Sequence, residues 1–151
     1  MIPFSPLESA ETFEVAGGRL VLWFPEEGIA AARCEGHVTG GLARRAYTRV
    51  DAQRPLPHEG FIDFSGATGF DWEARGRMLK WNLAHFSGKN RLHVLVSSAS
   101  MTVAAKVFEL ALGDHFEVHP DRETFVSAYG LTLRRRARVS GAPPPRGPSH
   151  E

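Results

Sequence analysis

Phe61-Ile62-Asp63-Phe64-Ser65-Gly66-Ala67-Thr68-Gly69-Phe70-Asp71 decides the reading of the fold. Its first four residues form a short, mostly apolar run, the pattern of a strand covered on both faces. Ser65 to Gly69 reads as the loop that follows. Asp71 is a helix cap, because its carboxylate can accept from a free backbone N–H. Met78, Leu79, Leu83 and Phe86 then make the buried stripe of that helix, and Gly88 fits its end. Leu92-His93-Val94-Leu95-Val96 is the next strand.

Upstream, Leu20-Val21-Leu22-Trp23-Phe24 is rich in strand formers. Pro25-Glu26-Glu27-Gly28 signals a turn, and Ile29 to Glu35 returns, giving a hairpin. Thr12 to Val15, closed by Gly17-Gly18, adds a short edge strand. Thr39 is an N-cap candidate for a helix whose apolar face is Leu42, Ala43, Ala46, Tyr47 and Val50. Gly40 and Gly41 weaken its first turn. Residues 54–60 carry two prolines and read as a loop. Downstream, Val103, Ala104, Val107, Phe108 and Ala111 make a third helix ending at Gly113. Phe116 and Val118 alternate with polar residues, as in a half-exposed strand, and Asp121 caps a last helix carrying Phe125, Val126 and Tyr129.

The order is a β-hairpin followed by αβαβαβα. It predicts a single α/β domain with a central mixed, largely parallel sheet and about four helices. Residues 1–11 read as a flexible arm, 12–133 as the domain, and 134–151 as a disordered basic and proline-rich tail.

The chain has 151 residues, enough for one domain. No apolar run approaches the ~20 residues that span a bilayer. The start lacks the pattern of a signal peptide, and the single cysteine, Cys34, excludes an internal disulfide. A cytoplasmic protein without membrane contact is expected. The net charge of +1 hides an asymmetry: residues 134–151 hold five arginines against one acid. The remaining body has 13 basic and 16 acidic residues, so it offers no electrostatic footprint for nucleic acid. The cluster Arg134-Arg135-Arg136-Ala137-Arg138 could touch nucleic acid or an anionic membrane, or simply be solvated. Ser140 behind it could be a kinase target, and Pro143-Pro144-Pro145 a stiff docking segment.

The stretch 61–71 resembles the strand and loop at the centre of STAS domains, the family that includes the anti-sigma factor antagonists. Arg33-Cys34-Glu35-Gly36-His37-Val38-Thr39 is similar to the family's stretch before its first helix. Val107 to Asp121 resembles its closing helix and strand. The resemblance covers about Arg19 to Gly130. It implies a curved mixed sheet with helices mainly on one side, no cofactor, and protein–protein regulation rather than catalysis. The partner it implies is a protein, such as an anti-sigma-factor-like kinase. The surface it implies is Gly69, Phe70, Asp71, Trp72, Glu73 and Arg75.

One departure stands out. Signalling members carry a phosphorylated hydroxyl residue just after the loop aspartate. Here Asp71 is followed by Trp72, Glu73 and Ala74. Control by phosphorylation at that site is therefore expected to be lost. Glu73 is either a fixed negative charge in its place or an ordinary first-turn acid. Trp72 is an interface anchor if exposed and loop packing if buried.

Other groupings also have ordinary structural readings. Ser65, Thr68, Ser97 and Ser98 could rim a site for a nucleotide or anion at one end of the sheet. Their plain reading is turn and cap residues. His115 and His119 flank Glu117, but four residues along a strand is roughly 13 Å, too far for one ion, so a solvated edge strand is expected there. His85 and His93 carry no spacing signal, so no metal site is expected. No nucleophile elbow or paired acid and base points to an enzyme; a pocket lined by Asp63, Asp71 and a histidine would change that reading.

Overall fold

The computed structural model describes residues 2–85 and 90–139. Three strands come first: β1 (Glu11–Val15), β2 (Gly18–Glu26) and β3 (Ile29–Val38). Helices and strands then alternate: α1 (Gly40–Asp51), β4 (Glu59–Phe70), α2 (Trp72–His85), β5 (Arg91–Leu95), α3 (Ala99–Leu112), β6 (Phe116–His119) and α4 (Arg122–Val139). All six strands form one sheet in sequence order. The first three are antiparallel neighbours, and β3 through β6 are parallel.

The β2–β3 hairpin turns through Glu27 and Gly28, with Glu26 paired to Ile29. Gly28 sits at φ +81°, a conformation that most side chains resist. Parallel neighbours cannot be joined by so tight a turn, and each parallel step is bridged by a helix. Buried residues of α1, α2 and α3 (Leu42, Met78 and Phe108 among them) share one core with Phe64, Leu92 and Val94 of the sheet. The three crossovers advance in one direction on one face, so they share one hand.

The other face is covered by α4 and by the N-terminal segment. Phe4, Trp23, Phe61, Phe125 and Tyr129 form a second core there. Phe4 lies 4.8–4.9 Å, centre to centre, from the rings of Trp23, Phe125 and Tyr129. The backbone carbonyl of Phe4 accepts from Arg33 Nη2 at 2.8 Å. The start of the chain is therefore docked, where composition alone suggested a loose arm. Phe4 is its main anchor, and Ile2 and Ala10 pack on the same core.

The architecture matches the expectation: one α/β domain, a mixed and largely parallel sheet, three helices on one face and one on the other. Several details differ. β4 continues through the expected loop, since Gly66, Ala67, Gly69 and Phe70 pair with Glu35, Gly36, His37 and Val38 of β3. Two register shifts in that ladder absorb the irregular sequence. On α2, Met78 and Leu79 pack inward, but Leu83 is 53% exposed. Phe86 and Gly88 lie outside the described residues. On α3 the buried face is Met101, Ala104, Ala105, Phe108 and Leu112, while Val103 and Val107 face outward. The small alanines lie against the sheet there, so the helix packs close and its larger β-branched residues remain outside.

The last helix also runs beyond its expected end. Residues 134–139, expected to begin a disordered tail, form its final turns. Arg136 donates from Nε and Nη2 to the carbonyl of Glu27 at 3.1 and 2.9 Å, tying the helix to the β2–β3 turn. Ser140, Pro143-Pro144-Pro145 and the rest of the expected tail lie outside the described residues.

Candidate functional site

β3 and β4 end side by side, with Val38 paired to Phe70. Each leads into a helix, so two helix N-termini emerge together at this edge. Their free N–H groups need acceptors. Thr39 Oγ1 accepts from Leu42 N at 3.1 Å and caps α1. Asp71 serves both helices: Oδ1 accepts from Ala74 N at 2.7 Å, and Oδ2 accepts from Gly40 N at 3.1 Å. A negative charge shared between two positive helix ends is favourable. The Asp71 N–H donates to Val38 O at 3.0 Å, which fixes the turn from below.

This rigid frame projects Trp72 outward, 83% exposed. The Arg75 guanidinium carbon lies 5.8 Å from the Trp72 ring centre, within cation–π range. Arg75 Nε is enclosed and has no hydrogen-bond partner among the described residues. Glu73 pairs with Arg77 one turn later, Oε1 to Nη2 at 3.0 Å. Its side chain also lies against Gly40, where an added Cβ would collide with it. Gly40 thus weakens the start of α1 but makes room for Glu73. Phe70 is half-buried and meets the edge of Phe64, and Gly69 pairs with His37 at the end of the β3–β4 ladder. All six residues expected to form the partner surface belong to one strand end and one helix start.

The serine and threonine set is only partly assembled. Ser97 Oγ donates to Ser65 O at 2.9 Å, joining the ends of β4 and β5. Ser65 Oγ donates to Asp63 Oδ1 at 2.5 Å and accepts from Arg122 Nη2 at 2.9 Å. Ser98 caps α3, its Oγ accepting from Met101 N at 3.2 Å. Thr68 is exposed further along β4. Three of these four hydroxyls are already engaged with protein atoms.

Asp63 is the anchor of that network and is 1% exposed. It pairs with Arg122 at 2.9 Å and with Arg33 at 3.6 Å. Burial alone would raise its pKa, but the Ser65 hydroxyl and N–H and the Arg122 guanidinium outweigh it. They hold the carboxyl below its ordinary range. Asp63 and Asp71 both serve structural partners and are not gathered with a histidine into one pocket. Cys34 is buried, which pushes its thiol pKa well up and leaves it a poor nucleophile.

A cluster that sequence reading missed lies under α4. His93 of β5 pairs in register with Glu117 of β6. His93 Nδ1 lies 3.1 Å from His119 Nε2 and 3.3 Å from Glu117 Oε2, and His93 Nε2 lies 3.6 Å from Glu59 Oε2. Both histidines are 4% exposed, so His119 is not on a solvated edge as expected. Burial is the main cause that lowers the His119 pKa. Glu59 is held below its ordinary value: its partial burial acts upward, but the adjacent His93 ring outweighs it. His115, the expected neighbour of His119, instead bonds to the carbonyl of Asn90 at 2.9 Å. Sequence spacing could not join residue 93 to 117; only the parallel pairing of β5 with β6 does.

No family model matches the sequence, and no curated protein matches it. Solved structures do match in shape. An uncharacterised protein of the DUF3478 family with a SpoIIAA-like fold, from Shewanella loihica PV-4, superposes with a TM-score of 0.53 at 15% identity, covering 81% of this chain and 98% of that one. A sulfate transporter family protein from Wolinella succinogenes gives 0.58 at 15% identity, covering 74% and 93%. The anti-sigma factor antagonist SpoIIAA in its unphosphorylated form gives 0.57 at 16% identity, covering 80% and 96%. The chain therefore folds as a STAS-like domain, with the SpoIIAA-like arrangement of sheet and helices.

Proposed function

We propose that this chain is a non-catalytic regulatory domain that binds a partner protein through the turn Gly69–Glu73 and Arg75. One observation carries the reading: Trp72 is 83% exposed on a backbone that Asp71 locks between two helices. A large apolar ring held outward loses contact with water only when something covers it. An exposed tryptophan beside an arginine is typical of interface hot spots. A rigid anchor also gives up little entropy on binding. The shape shared with an anti-sigma factor antagonist adds support, although fold alone does not fix function.

Phosphorylation would not operate here in the manner known for signalling STAS domains. Positions 72–74 hold no hydroxyl, and Glu73 is committed to Arg77 and to its place over Gly40. The other reading, a nucleotide or anion sensor at Ser65, Thr68, Ser97 and Ser98, has less support. The serine hydroxyls there already join β4, β5, α3 and α4.

The test compares wild type with a Trp72→Ala, Glu73→Arg double variant in pull-downs from the native cell. Circular dichroism confirms that both fold. The expected outcome is a partner recovered with wild type and lost with the variant. The same partners recovered undiminished would refute this surface.

A further inference from the structure

We propose that His93, His119 and Glu117 bind a divalent transition-metal ion, zinc by their chemistry, on the α4 side of the sheet, with Glu59 as a positioning residue. The site is separate from the Trp72 turn, which belongs to α2 on the opposite face.

The spacing is near that of an ion site, and the half-exposed Glu117 can close the widest gap. One ligand atom from each residue can be chosen so that all three lie within 4.8 Å of one another. Two of the separations are 3.1 and 3.3 Å. In a tetrahedral zinc site with bonds of ~2.0–2.1 Å, neighbouring ligand atoms are ~3.3–3.4 Å apart. The two rings now face each other nitrogen to nitrogen, with centres 5.4 Å apart and planes 25° from parallel. To aim both lone pairs at one ion, each ring must turn by ~35°, given those bond lengths. Two imidazoles and a carboxylate form a donor set that suits zinc, and they leave a fourth position for water.

The His93 ring also has an unresolved polar balance. It is buried, and its Nε2 meets only the Glu59 carboxylate, at 3.6 Å, longer than a good hydrogen bond. Three polar partners surround it: the Glu59 carboxylate near Nε2, and near Nδ1 the Glu117 carboxylate and the His119 nitrogen, which donates or accepts according to its tautomer. A neutral imidazole has a single N–H. With the hydrogen on Nδ1, a bare Nε2 faces a carboxylate. With the hydrogen on Nε2, Nδ1 can accept from His119 but still lies 3.3 Å from the Glu117 carboxylate. A second proton on the ring or a metal ion on Nδ1 relieves that contact, and zinc titration tells the two apart. With the ion bound, Nε2–H points toward Glu59, and Nδ1 and Glu117 both donate to the ion. A carboxylate behind a ligating histidine is the usual way such a ring is oriented.

Access exists as well. A cleft of about 300 Å³ opens on the cluster, between His93, Glu117 and Glu59 on one side and Ala128, Thr132 and Arg135 of α4 on the other. Arg91 lines it too and lies 3.7 Å from Glu117. Its side chain is 52% exposed, so it can swing away when an ion takes its place.

The test uses the full chain, freed of metal by chelation and titrated with Zn²⁺ by calorimetry. Co²⁺ serves as the absorbing probe. The expected result is one tight equivalent, with the intense visible bands of tetrahedral cobalt. Glu117→Gln, at a half-exposed position, should abolish both signals while the circular dichroism stays unchanged. Glu59→Gln should weaken zinc 10–100-fold and shift the cobalt bands. His115→Asn, outside the cluster, should change neither. No tight equivalent in wild type, or one that survives Glu117→Gln or Glu59→Gln undiminished, overturns the proposal.

Discussion

Removing the Phe4 ring tests whether the N-terminal segment is part of the fold. Phe4 is buried among Trp23, Phe125 and Tyr129, and Arg33 holds its carbonyl. Phe4→Ala deletes the ring contacts and leaves a cavity between α4 and the sheet. Such truncations cost about 3–5 kcal/mol when the surroundings relax little. Phe4 lies close to the chain end, so its segment can partly collapse or detach, and the lower end, about 3 kcal/mol, is expected. For a domain of this size each kcal/mol lowers Tm by roughly 2–4 °C, which gives a drop of about 6–12 °C. Urea unfolding followed by tryptophan fluorescence is the assay, since Trp23 reports on this core. The midpoint should fall with little change in slope. Leu7→Ala, at an exposed position, is the control and should stay within about 0.5 kcal/mol. A Phe4→Ala loss no larger than the control would show that the segment is not docked and that α4 is held by other contacts.

Other perturbations separate the roles of neighbouring residues. Asp71→Ala removes the acceptor of two backbone N–H groups and should cost about 2–3 kcal/mol in urea unfolding, combining a lost cap with a lost charge-assisted bond. Asp71→Asn keeps one cap bond and should cost about 1 kcal/mol. Trp72→Ala should leave stability within about 0.5 kcal/mol while abolishing partner capture, so a large loss of stability would mean that the ring packs on the domain. Asp63→Asn should lower stability at pH 7 by about 1.5–3 kcal/mol, because it breaks bonds to charged groups. Its wild-type carboxyl has a depressed pKa in the fold. That contribution is therefore full above the unfolded value of about 3.9 and fades as pH falls through the lower folded value. Unfolding curves of wild type and Asp63→Asn from pH 7 to pH 2.5 should converge below about pH 4; a constant gap would show that the carboxylate charge is not what stabilises.

The order of elements was legible because local chemistry agrees with it. Thr39, Asp71, Ser98 and Asp121 each cap a backbone N–H two or three residues on, and each helix starts where such a residue stands. The hairpin turn at Gly28 and the apolar run at Phe61 were equally plain. What escaped reading depends on neighbours far along the chain. Ser65 to Phe70 is poor in strand formers, yet it continues β4 because the long β3 supplies a ladder beside it. Val103 and Val107 read as part of the apolar pattern of α3, yet they face outward while Met101, Ala104, Ala105, Phe108 and Leu112 are buried. Phe4 lay in a segment without periodicity, and its pocket is made by residues up to 125 positions away.

The two candidate sites differ in how they could be found. The Asp71 turn is contiguous, so a short motif and a cap are enough to locate it, and the structure adds the exposure of Trp72. The His93 cluster is assembled from three strands, β4, β5 and β6, each contributing one or two polar residues to a face that is otherwise apolar. Along any one strand those residues look like ordinary alternation. Across the sheet they place two carboxylates and two imidazoles beneath a helix. The two imidazoles are buried while Glu117 is half-exposed, and buried polar rings are unfavourable unless they are satisfied. Apolar residues at 93 and 119 would continue the aromatic core of Phe61 and Phe125 without that penalty. Two buried imidazoles beside two carboxylates therefore form a donor set that packing of α4 on the sheet does not by itself require.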